Sequence, residues 1–237
     1  TNIGLNHVGD YGNSQEALIA DKSSHDKYLP DDGVAFLNYD DPKLRELKLK
    51  HRIIRYAVNA RDVDFYADNI VERDGQLTFD IHDVATGEAT PAKLFTFGRH
   101  NVSNAVGAYA VGRWLDIPAD KIVKGLSEYR GEGLRQNLVE LGGQKVLVDC
   151  YNASEEAINS TAGALQTITV GPGGRRLMVL ADIDDKLGDL TEEVHRRVGD
   201  NIKQFTDIDE IIFYGDHMSW AAEEYAKAGR PFFHTTD

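Results

Sequence analysis

The second half of the chain alternates short apolar runs with polar loops and helix-like segments. Apolar runs cover residues 146–148, 177–181 and 211–214, and a last run begins near Phe232. A segment with helical spacing follows the loop after each of the first three runs. Short strands that alternate with helices predict a parallel α/β sheet with right-handed crossovers.

Two of these runs end on an aspartate. Asp149 closes the first run and Asp182 closes the second, and each is followed by a loop and then a helix. Ligands of open parallel sheets bind outside the carboxyl ends of the strands. A capped turn between a strand and a helix is the alternative, and for a single occurrence we prefer it. The repetition of the pattern favours a ligand site.

Capping residues mark where the two helices begin. Ser154 is a typical N-cap with acidic residues in the next turn, and Asp189 and Glu192 have the spacing of a capping box. We therefore predict one helix after Ser154 and another after Asp189.

The first half has a different pattern. A helix is predicted from near Ser14 and a strand over 34–37. Residues 52–97 alternate apolar and polar positions and are interrupted by Asp74-Gly75 and Thr86-Gly87. These are hairpin signals, so we expect a small antiparallel sheet there. A helix rich in Ala and Gly follows from about residue 98, and its composition predicts close packing.

A glycine-rich stretch near Gly131 separates these two patterns. We place the domain break there, which divides the chain into residues 1–131 and residues 132–237. The chain begins without an initiator Met, and we expect it to be a fragment of a longer protein.

Composition narrows the function classes. The chain has 41% hydrophobic and 27% charged residues, which is ordinary for a globular protein. A net charge of -13 argues against nucleic acid as the main partner but leaves room for a local basic pocket. The single Cys150, the absence of a signal peptide and the lack of a bilayer-length apolar run together predict a cytoplasmic protein without membrane insertion.

Four segments in this order resemble the Mur ligase family, the ATP-dependent amide-forming enzymes of peptidoglycan precursor synthesis. TNIGLNHVGDYGNSQEALIADKS (1–23) resembles the family's central-domain segment with an Asn, a His and a helical Lys. GRHNVSNAVGAYAVG (98–112) is similar to its G-x-H-N-x-x-N-x-x-A-A signature. LVDCYNAS (147–154) and ADIDDKLGDLTEEVHRRVG (181–199) resemble segments of the MurF-type members, which add D-alanyl-D-alanine.

The resemblance implies a fold and a ligand set. The fold is α/β: the latter part of a central ATPase domain with its small antiparallel sheet over 1–131, and a truncated Rossmann-like C-terminal domain over 132–237. The implied cofactors are ATP and Mg²⁺. The implied partners are small molecules: a UDP-sugar peptide and an amino acid or dipeptide.

The resemblance also implies site residues in the first half and at the junction. His7 is implied as a magnesium ligand, and Lys22 as a carbamylated lysine whose anionic oxygens help to hold the metal. Asn104 resembles the adenine-contacting Asn, with Asn101 beside it, and Arg135 is implied to contact the nucleotide's phosphates or ribose. The alternatives from the residues alone are a loop histidine, a solvated lysine, helix-capping asparagines and an exposed linker arginine.

In the second half, the resemblance implies a nucleotide-lining segment and a substrate side. Asp149 would lie near the ribose and Asn152 near the adenine, and Tyr151 belongs to the same lining segment. Asp182 and His195 would lie on the amine-substrate side of the cleft. A buried structural histidine is nearly as good an interpretation of His195.

The expected activity of the parent protein is MurF-type ligation through an acyl phosphate. A G-x-x-x-x-G-K-[ST] phosphate loop does not occur in the chain, and Lys186 stands where the family has Glu. These departures favour two alternatives: another Mur-like ligase, of the folylpolyglutamate or polyglutamate synthetase type, or a non-catalytic nucleotide-binding paralogue.

Overall fold

A computed structural model describes residues 2–130, 133–184 and 186–237. The chain divides into two compact units. Unit 1 comprises Thr1–Gly4, Glu16–Glu72 and Gln76–Arg130, and unit 2 comprises Leu5–Gln15, Arg73–Gly75 and Gly131–Asp237. The predicted split into 1–131 and 132–237 as functional domains stays a prediction.

Unit 1 contains a five-stranded sheet in the order β1-β2-β3-β4-β5. The strands are β1 Val34–Asn38, β2 Arg52–Ala57, β3 Phe65–Arg73, β4 Gln76–Asp83 and β5 Glu88–Leu94. The helices numbered first along the chain are α1 Gln15–Ser23, α2 Pro42–Arg45, α3 Arg99–Trp114 and α4 Ala119–Glu128. Short 3-10 helices cover Ser24–Tyr28 of unit 1 and Val8–Tyr11 and Gly188–Leu190 of unit 2.

The sheet of unit 1 is mixed: the antiparallel pairing predicted within residues 52–97 is present in β4 and β5, whereas β2 is parallel to its neighbours β1 and β3. The connection from β1 to β2 contains α2 and is long enough for a parallel return. Alternation along a strand reports one buried face and does not report the direction of the neighbouring strand.

Helix α3 packs closely on this sheet, as its small residues predicted. Its fully buried residues in the core of unit 1 include Val102, Val106, Tyr109 and Ala110. A Cβ added at Gly107 would lie 2.9 Å from the Tyr56 ring, so only glycine allows this approach.

Unit 2 contains two separate sheets. A parallel sheet has the order β10-β9-β8, with β8 Leu177–Ala181, β9 Glu210–Tyr214 and β10 Phe232–Thr235. An antiparallel pair consists of β6 Asn137–Leu141 and β7 Gln144–Val148. The helices are α5 Glu155–Thr167, α6 Thr191–Ile202 and α7 Met218–Ala226.

The parallel sheet of β8, β9 and β10 confirms the predicted alternation of strands and helices. The prediction that β7 belongs to the same sheet is wrong. The sequence placed the run 146–148 in the parallel sheet, whereas β7 forms a hairpin with β6 through Gly142-Gly143. Both glycines have positive φ, as tight hairpin turns require. The glycine-rich stretch read as a domain boundary thus contains a strand and a turn.

The core of unit 2 lies between the parallel sheet and its helices. Ile211, Phe213, Met218 and Tyr225 are fully buried in it. None of the described helices is long and apolar enough to cross a membrane.

Candidate functional site

The strand-end Asp149 is held by two donors within unit 2. The hydroxyl of Thr161 on α5 donates to Oδ2, and the Gln136 N–H donates to Oδ1 at 3.3 Å. Helix α5 begins as predicted, since the Ser154 Oγ accepts from the Ala157 N–H at 3.1 Å. A carboxylate has about four lone-pair sites, so these two donors leave acceptor capacity for a ligand hydroxyl. Thr161 was missed because only the fold of α5 against β7 brings it to Asp149.

Next to Asp149, an arginine lies over an exposed aromatic ring. The Arg135 guanidinium carbon is 4.1 Å from the centre of the Tyr151 ring, and Tyr151 is 65% exposed. Asn152 is also exposed. A planar cation beside a flat ring and a carboxylate suits a ligand that combines phosphate, hydroxyl and an aromatic base. The structure therefore brings Arg135, Asp149 and Tyr151 into one region of unit 2.

The second strand-end aspartate, Asp182, caps a helix. Its carboxylate accepts from the Met218 N–H at 2.8 Å and from the His217 N–H at 3.3 Å, both at the start of α7. Gly215 has a φ of +112°, and a Cβ there would lie 2.4 Å from this carboxylate. An anion at a helix N-terminus satisfies backbone donors and interacts favourably with the helix dipole. Two of the acceptor sites of Asp182 are thus used by the fold.

His195 is fully buried, and both ring nitrogens have partners. Nδ1 lies 2.7 Å from the Thr191 carbonyl oxygen and therefore carries the proton, while Nε2 accepts from the Ile183 N–H at 3.1 Å. Burial lowers the pKa of His195 below its usual value, and the Thr191 carbonyl and Asp182 oppose this shift. The ring is neutral, and its predicted place on the amine-substrate side stays a prediction.

Asp182, His195 and His217 come together closely enough to suggest a metal site. Their ligand atoms lie within 4.8 Å of one another. His195 has no lone pair left for a cation, however, because its Nε2 accepts a backbone hydrogen bond. His217 instead stacks on Trp220, with ring centres 5.3 Å apart. The cluster is therefore an aromatic and capping arrangement rather than a metal centre.

In unit 1, the two predicted asparagines lie at the start of α3. The Asn101 amide donates to the Phe97 carbonyl at 2.7 Å and ties the helix to the chain before it. Asn104 is exposed, and its amide donates to the Asn101 Oδ1 at 3.3 Å. Asn101 thus orients Asn104, and contact of either side chain with a nucleotide stays a prediction.

The two predicted metal ligands belong to different units. His7 precedes the 3-10 helix of unit 2, has a φ of +66°, and its side chain is 50% exposed. Lys22 is exposed in the last turn of α1, in unit 1. The His7 Nδ1 lies 3.6 Å from the Asp10 Oδ2, and the same oxygen pairs with the Lys186 Nζ at 2.9 Å. Asp10 was missed, although its spacing of three from His7 in a turn was the available signal.

Two family models match the chain over most of its length. The Mur ligase middle domain matches residues 1–112, and the Mur ligase, glutamate ligase domain matches residues 134–237. The UDP-N-acetylmuramoyl-tripeptide--D-alanyl-D-alanine ligase of Bacillus subtilis (strain 168) is 29% identical over 225 residues, covering 94% of this chain and 47% of that protein. The UDP-N-acetylmuramate--L-alanine ligase of Dechloromonas aromatica (strain RCB) is 33% identical over 187 residues, covering 76% of this chain and 40% of that protein.

Solved structures of other proteins have folds similar to that of this chain. MurF from Acinetobacter baumannii superposes with a TM-score of 0.85 at 27% identity, over 99% of this chain and 49% of that one. MurF ligase from Thermotoga maritima in complex with ADP has the same fold, with a TM-score of 0.82 at 20% identity, over 100% of this chain and 52% of that one. The chain spans about half the length of the curated relatives it matches.

Proposed function

The chain belongs to the Mur ligase family, and on that premise we propose that its parent protein is a cytoplasmic, ATP-dependent ligase of peptidoglycan precursor synthesis. We further propose that it adds D-alanyl-D-alanine to a UDP-N-acetylmuramoyl-tripeptide. The observation that carries this choice is the alignment with the D-alanyl-D-alanine ligase of B. subtilis, which runs over 94% of the chain. The TM-score of 0.85 to an A. baumannii MurF supports it.

The proposed reaction joins a carboxylate to an amine in two steps. A carboxylate oxygen attacks the γ-phosphorus of ATP, and the bond from that phosphorus to the bridging oxygen of ADP breaks. The amine nitrogen then attacks the acyl carbon, loses a proton and displaces inorganic phosphate. Catalysis of such transfers consists mainly of positioning and charge stabilisation, so the roles of the protein residues are to bind and orient.

The nucleoside end of ATP is assigned to the Asp149 region. In this proposal Asp149 accepts a ribose hydroxyl while Thr161 and Gln136 hold its carboxylate in place. Arg135 offers its charge to the phosphates, and Asn152 and Asn104 offer amides to the adenine. Asp182 and His195 are proposed to shape the amine-substrate side by fixing the start of α7 and the loop after β8.

Magnesium is assigned to His7 and to Lys22 in its carbamylated form. When bound, the ion neutralises charge on the phosphates. An ammonium cannot ligate a cation, whereas a carbamate provides anionic oxygens of the kind Mg²⁺ prefers. We expect Lys22→Ala to lower ligation in the full-length protein and short carboxylic acids to restore part of it. Lys22→Arg, which keeps the charge but cannot be carbamylated, should behave like Lys22→Ala. Wild-type activity in Lys22→Ala would exclude this role.

A second candidate is addition of L-alanine to UDP-N-acetylmuramate. Relatives that carry out this reaction are 33–34% identical to the chain, a higher identity than that of the B. subtilis relative, although over only 57–76% of its length. The two proposals differ in both substrates and can be separated by one experiment.

The test uses the full-length parent protein with ATP and two matched substrate pairs. One pair is UDP-N-acetylmuramoyl-tripeptide with D-alanyl-D-alanine, and the other is UDP-N-acetylmuramate with L-alanine. Phosphate release and the mass of the product are measured together, with omission of each amine as the control. We expect product and phosphate only with the first pair. Product with the second pair would favour the second candidate, and ATP-independent or absent ligation with both would refute the proposed function.

A further inference from the structure

Residues 5–15, which we name the docked segment, pack on residues 186–189, which lead into the 3-10 helix Gly188–Leu190 and which we call the partner loop. Both belong to unit 2, although more than 170 positions separate them in sequence. Val8 is fully buried, and Leu5 packs against the core of unit 2. The chain thus enters unit 2 for a few residues before it returns to α1.

Two glycines allow the backbones to meet. The Gly9 N–H donates to the Lys186 carbonyl at 2.8 Å, and a Cβ on Gly9 would lie 2.6 Å from that oxygen. A Cβ on Gly188 would lie 2.1 Å from the Asn13 Oδ1. At Gly9 the close atom is a backbone oxygen, so a side chain there would force the docked segment away from residue 186. At Gly188 the Asn13 side chain would have to turn away and lose its contacts with Asp189, while the Gly9 Cα at 3.2 Å restricts the added Cβ further.

Side-chain contacts extend the same interface. Lys186 Nζ lies 2.9 Å from Asp10 Oδ2, the Asn13 amide donates to Asp189 Oδ2 at 2.7 Å, and the Asp189 N–H donates to the Asn13 Oδ1 at 3.4 Å. The prediction that Asp189 caps α6 is wrong. Leu190 is the residue before the helix, its side chain forms no capping hydrogen bond, and the Asp189 carboxylate accepts from Asn13. Lys186, the residue that departs from the family pattern, has an attractive partner here in Asp10.

Backbone strain concentrates at this contact. Among the described residues, seven non-glycine residues have positive φ, and they include His7, Asn13 and Lys186. Conformations of this kind persist only where the surrounding contacts determine them. The conformation of His7, at the start of the 3-10 helix Val8–Tyr11, is therefore tied to the docking of the residues that follow it.

We propose that this interface is a latch that positions His7: the Gly9–Lys186 backbone contact, the fit of Gly188 against Asn13 and the Asp10–Lys186 pair hold the docked segment on unit 2. Asn13 and Lys186 are then positioning residues for the candidate magnesium ligand, and this part rests on the proposed function. Movement of the loop after β8 is transmitted to His7 through the latch.

The docking itself is tested by amide hydrogen exchange in the 237-residue chain. We expect Gly9→Ala to accelerate exchange of the residue 9 N–H about tenfold or more, because the added methyl group meets a backbone oxygen. Gly188→Ala should accelerate it by less, because the Asn13 side chain can turn away at the cost of its contacts with Asp189. Gly12→Ala is the matched control. Gly12 lies in the docked segment and has a φ of +65°, like Gly188 at +59°, but a Cβ there meets nothing within 4 Å. Unchanged exchange at Ile211 shows that the core of unit 2 remains folded in a variant.

Two outcomes of this exchange experiment overturn the latch. One is unchanged protection at residue 9 in both Gly9→Ala and Gly188→Ala. The other is an equal loss of protection in Gly12→Ala, which would show that backbone strain and not the contact with the loop is responsible.

The exposed ion pair makes a smaller contribution that charge exchange isolates. Asp10→Lys and Lys186→Asp should each accelerate exchange at residue 9 about two- to fivefold, the size expected for an exposed pair. The double variant Asp10→Lys/Lys186→Asp should return toward the wild type. Additive effects in the double variant would remove the pair from the latch.

The positioning role is tested by the Mg²⁺ dependence of ligation in the full-length protein. If the latch sets His7, Gly188→Ala should raise the half-saturating Mg²⁺ concentration by about the factor by which the docked fraction falls, while Gly12→Ala should not. A docked fraction that falls at least about twofold with an unchanged Mg²⁺ dependence would retain the docking and overturn the positioning of His7. Absence of ligation in the wild type would refute the proposed function and with it the role of His7, while the exchange data still decide whether the latch exists.

Discussion

The β6–β7 hairpin and the β8–β10 sheet of unit 2 each carry a strand that ends on an aspartate, but they are packed very differently. No residue of β6 or β7 is buried, whereas Ile211 and Phe213 of the neighbouring strand β9 are fully buried beside β8. Asp149 is held by two donors from nearby segments of the chain, and Asp182 closes the start of α7.

This difference separates two kinds of strand end. Backbone that is thinly packed opens at low free-energy cost and can adjust to a ligand, whereas backbone anchored in a core holds one geometry. Asp149 is therefore the better candidate for a group that contacts nucleotide directly. Asp182 and His195 are the better candidates for fixing the shape of the site.

The largest expected effect compares a fully buried residue of the parallel sheet with a half-buried residue of the hairpin. Ile211→Ala removes a fully buried side chain and should lower the free energy of unfolding by about 2–5 kcal/mol. Leu147→Ala in half-buried β7 should cost about 1 kcal/mol. Urea unfolding monitored by the fluorescence of Trp220, with Trp114 replaced by Phe, measures both. Equal losses would show that the hairpin is packed as firmly as the parallel sheet.

The next largest effect is expected at Asp149, and it tests whether this residue after β7 binds ATP. Asp149→Ala should raise the ATP KM of the full-length protein about tenfold or more, because one charge-assisted hydrogen bond is worth about 1.5–3 kcal/mol. Thr161→Val removes the donor that holds the carboxylate and keeps the carboxylate itself, so it should raise KM by less. An unchanged KM in Asp149→Ala would assign this carboxylate to structure, as for Asp182.

Removal of Asp182, which is anchored at the start of α7, should lower the stability more than it changes the KM for the amine. Asp182→Ala leaves the Met218 and His217 N–H groups without their acceptor and should cost about 1–2 kcal/mol, the usual value for a lost helix cap. Asp182→Asn retains an acceptor oxygen and should recover part of the loss. Thermal unfolding and the KM for the amine are measured on the same variants. A changed KM with unchanged stability would place Asp182 in direct contact with substrate and end the contrast with Asp149.

The smallest effect is a pH dependence from His195. Burial lowers the pKa of His195 in the folded state, so the unfolded state binds a proton first as pH falls. The stability from this residue is fully present above its unfolded pKa of about 6.5. It is lost progressively as pH falls from there to the folded value, at up to about 1.4 kcal/mol per pH unit.

His195→Gln should be less stable than the wild type at pH 7.5 and should lack this slope. Exposed His100 in unit 1 provides the control, because His100→Gln should retain the slope. Urea unfolding at several pH values between 5 and 7.5 makes the measurement. A slope that persists in His195→Gln would mean that His195 does not account for the pH dependence.

Features that depend on a few adjacent residues were predictable. The N-cap at Ser154, the approximate positions of the apolar strands and the close packing of α3 all follow from local conformational preference and side-chain size. The family signature around residues 98–112 and 147–154 was also visible, because it consists of short motifs with fixed spacing.

Features that depend on residues distant in sequence could not be predicted. The parallel pairing of β1 with β2, the hairpin of β7 with β6 and the contact of Asp182 with Met218 join elements whose partners the local pattern does not name. The packing of residues 5–15 with unit 2 is the extreme case, since its partner loop lies at residues 186–189.

The sequence by itself determined the class of fold, the approximate positions of the helices and the family, because these are encoded by backbone preferences and motifs a few residues long. Only the tertiary structure decided which strand pairs with which and which acceptor each aspartate became. The reason is physical: an apolar run gains much the same free energy against any complementary surface, and a carboxylate satisfies whichever donors the completed fold brings to it.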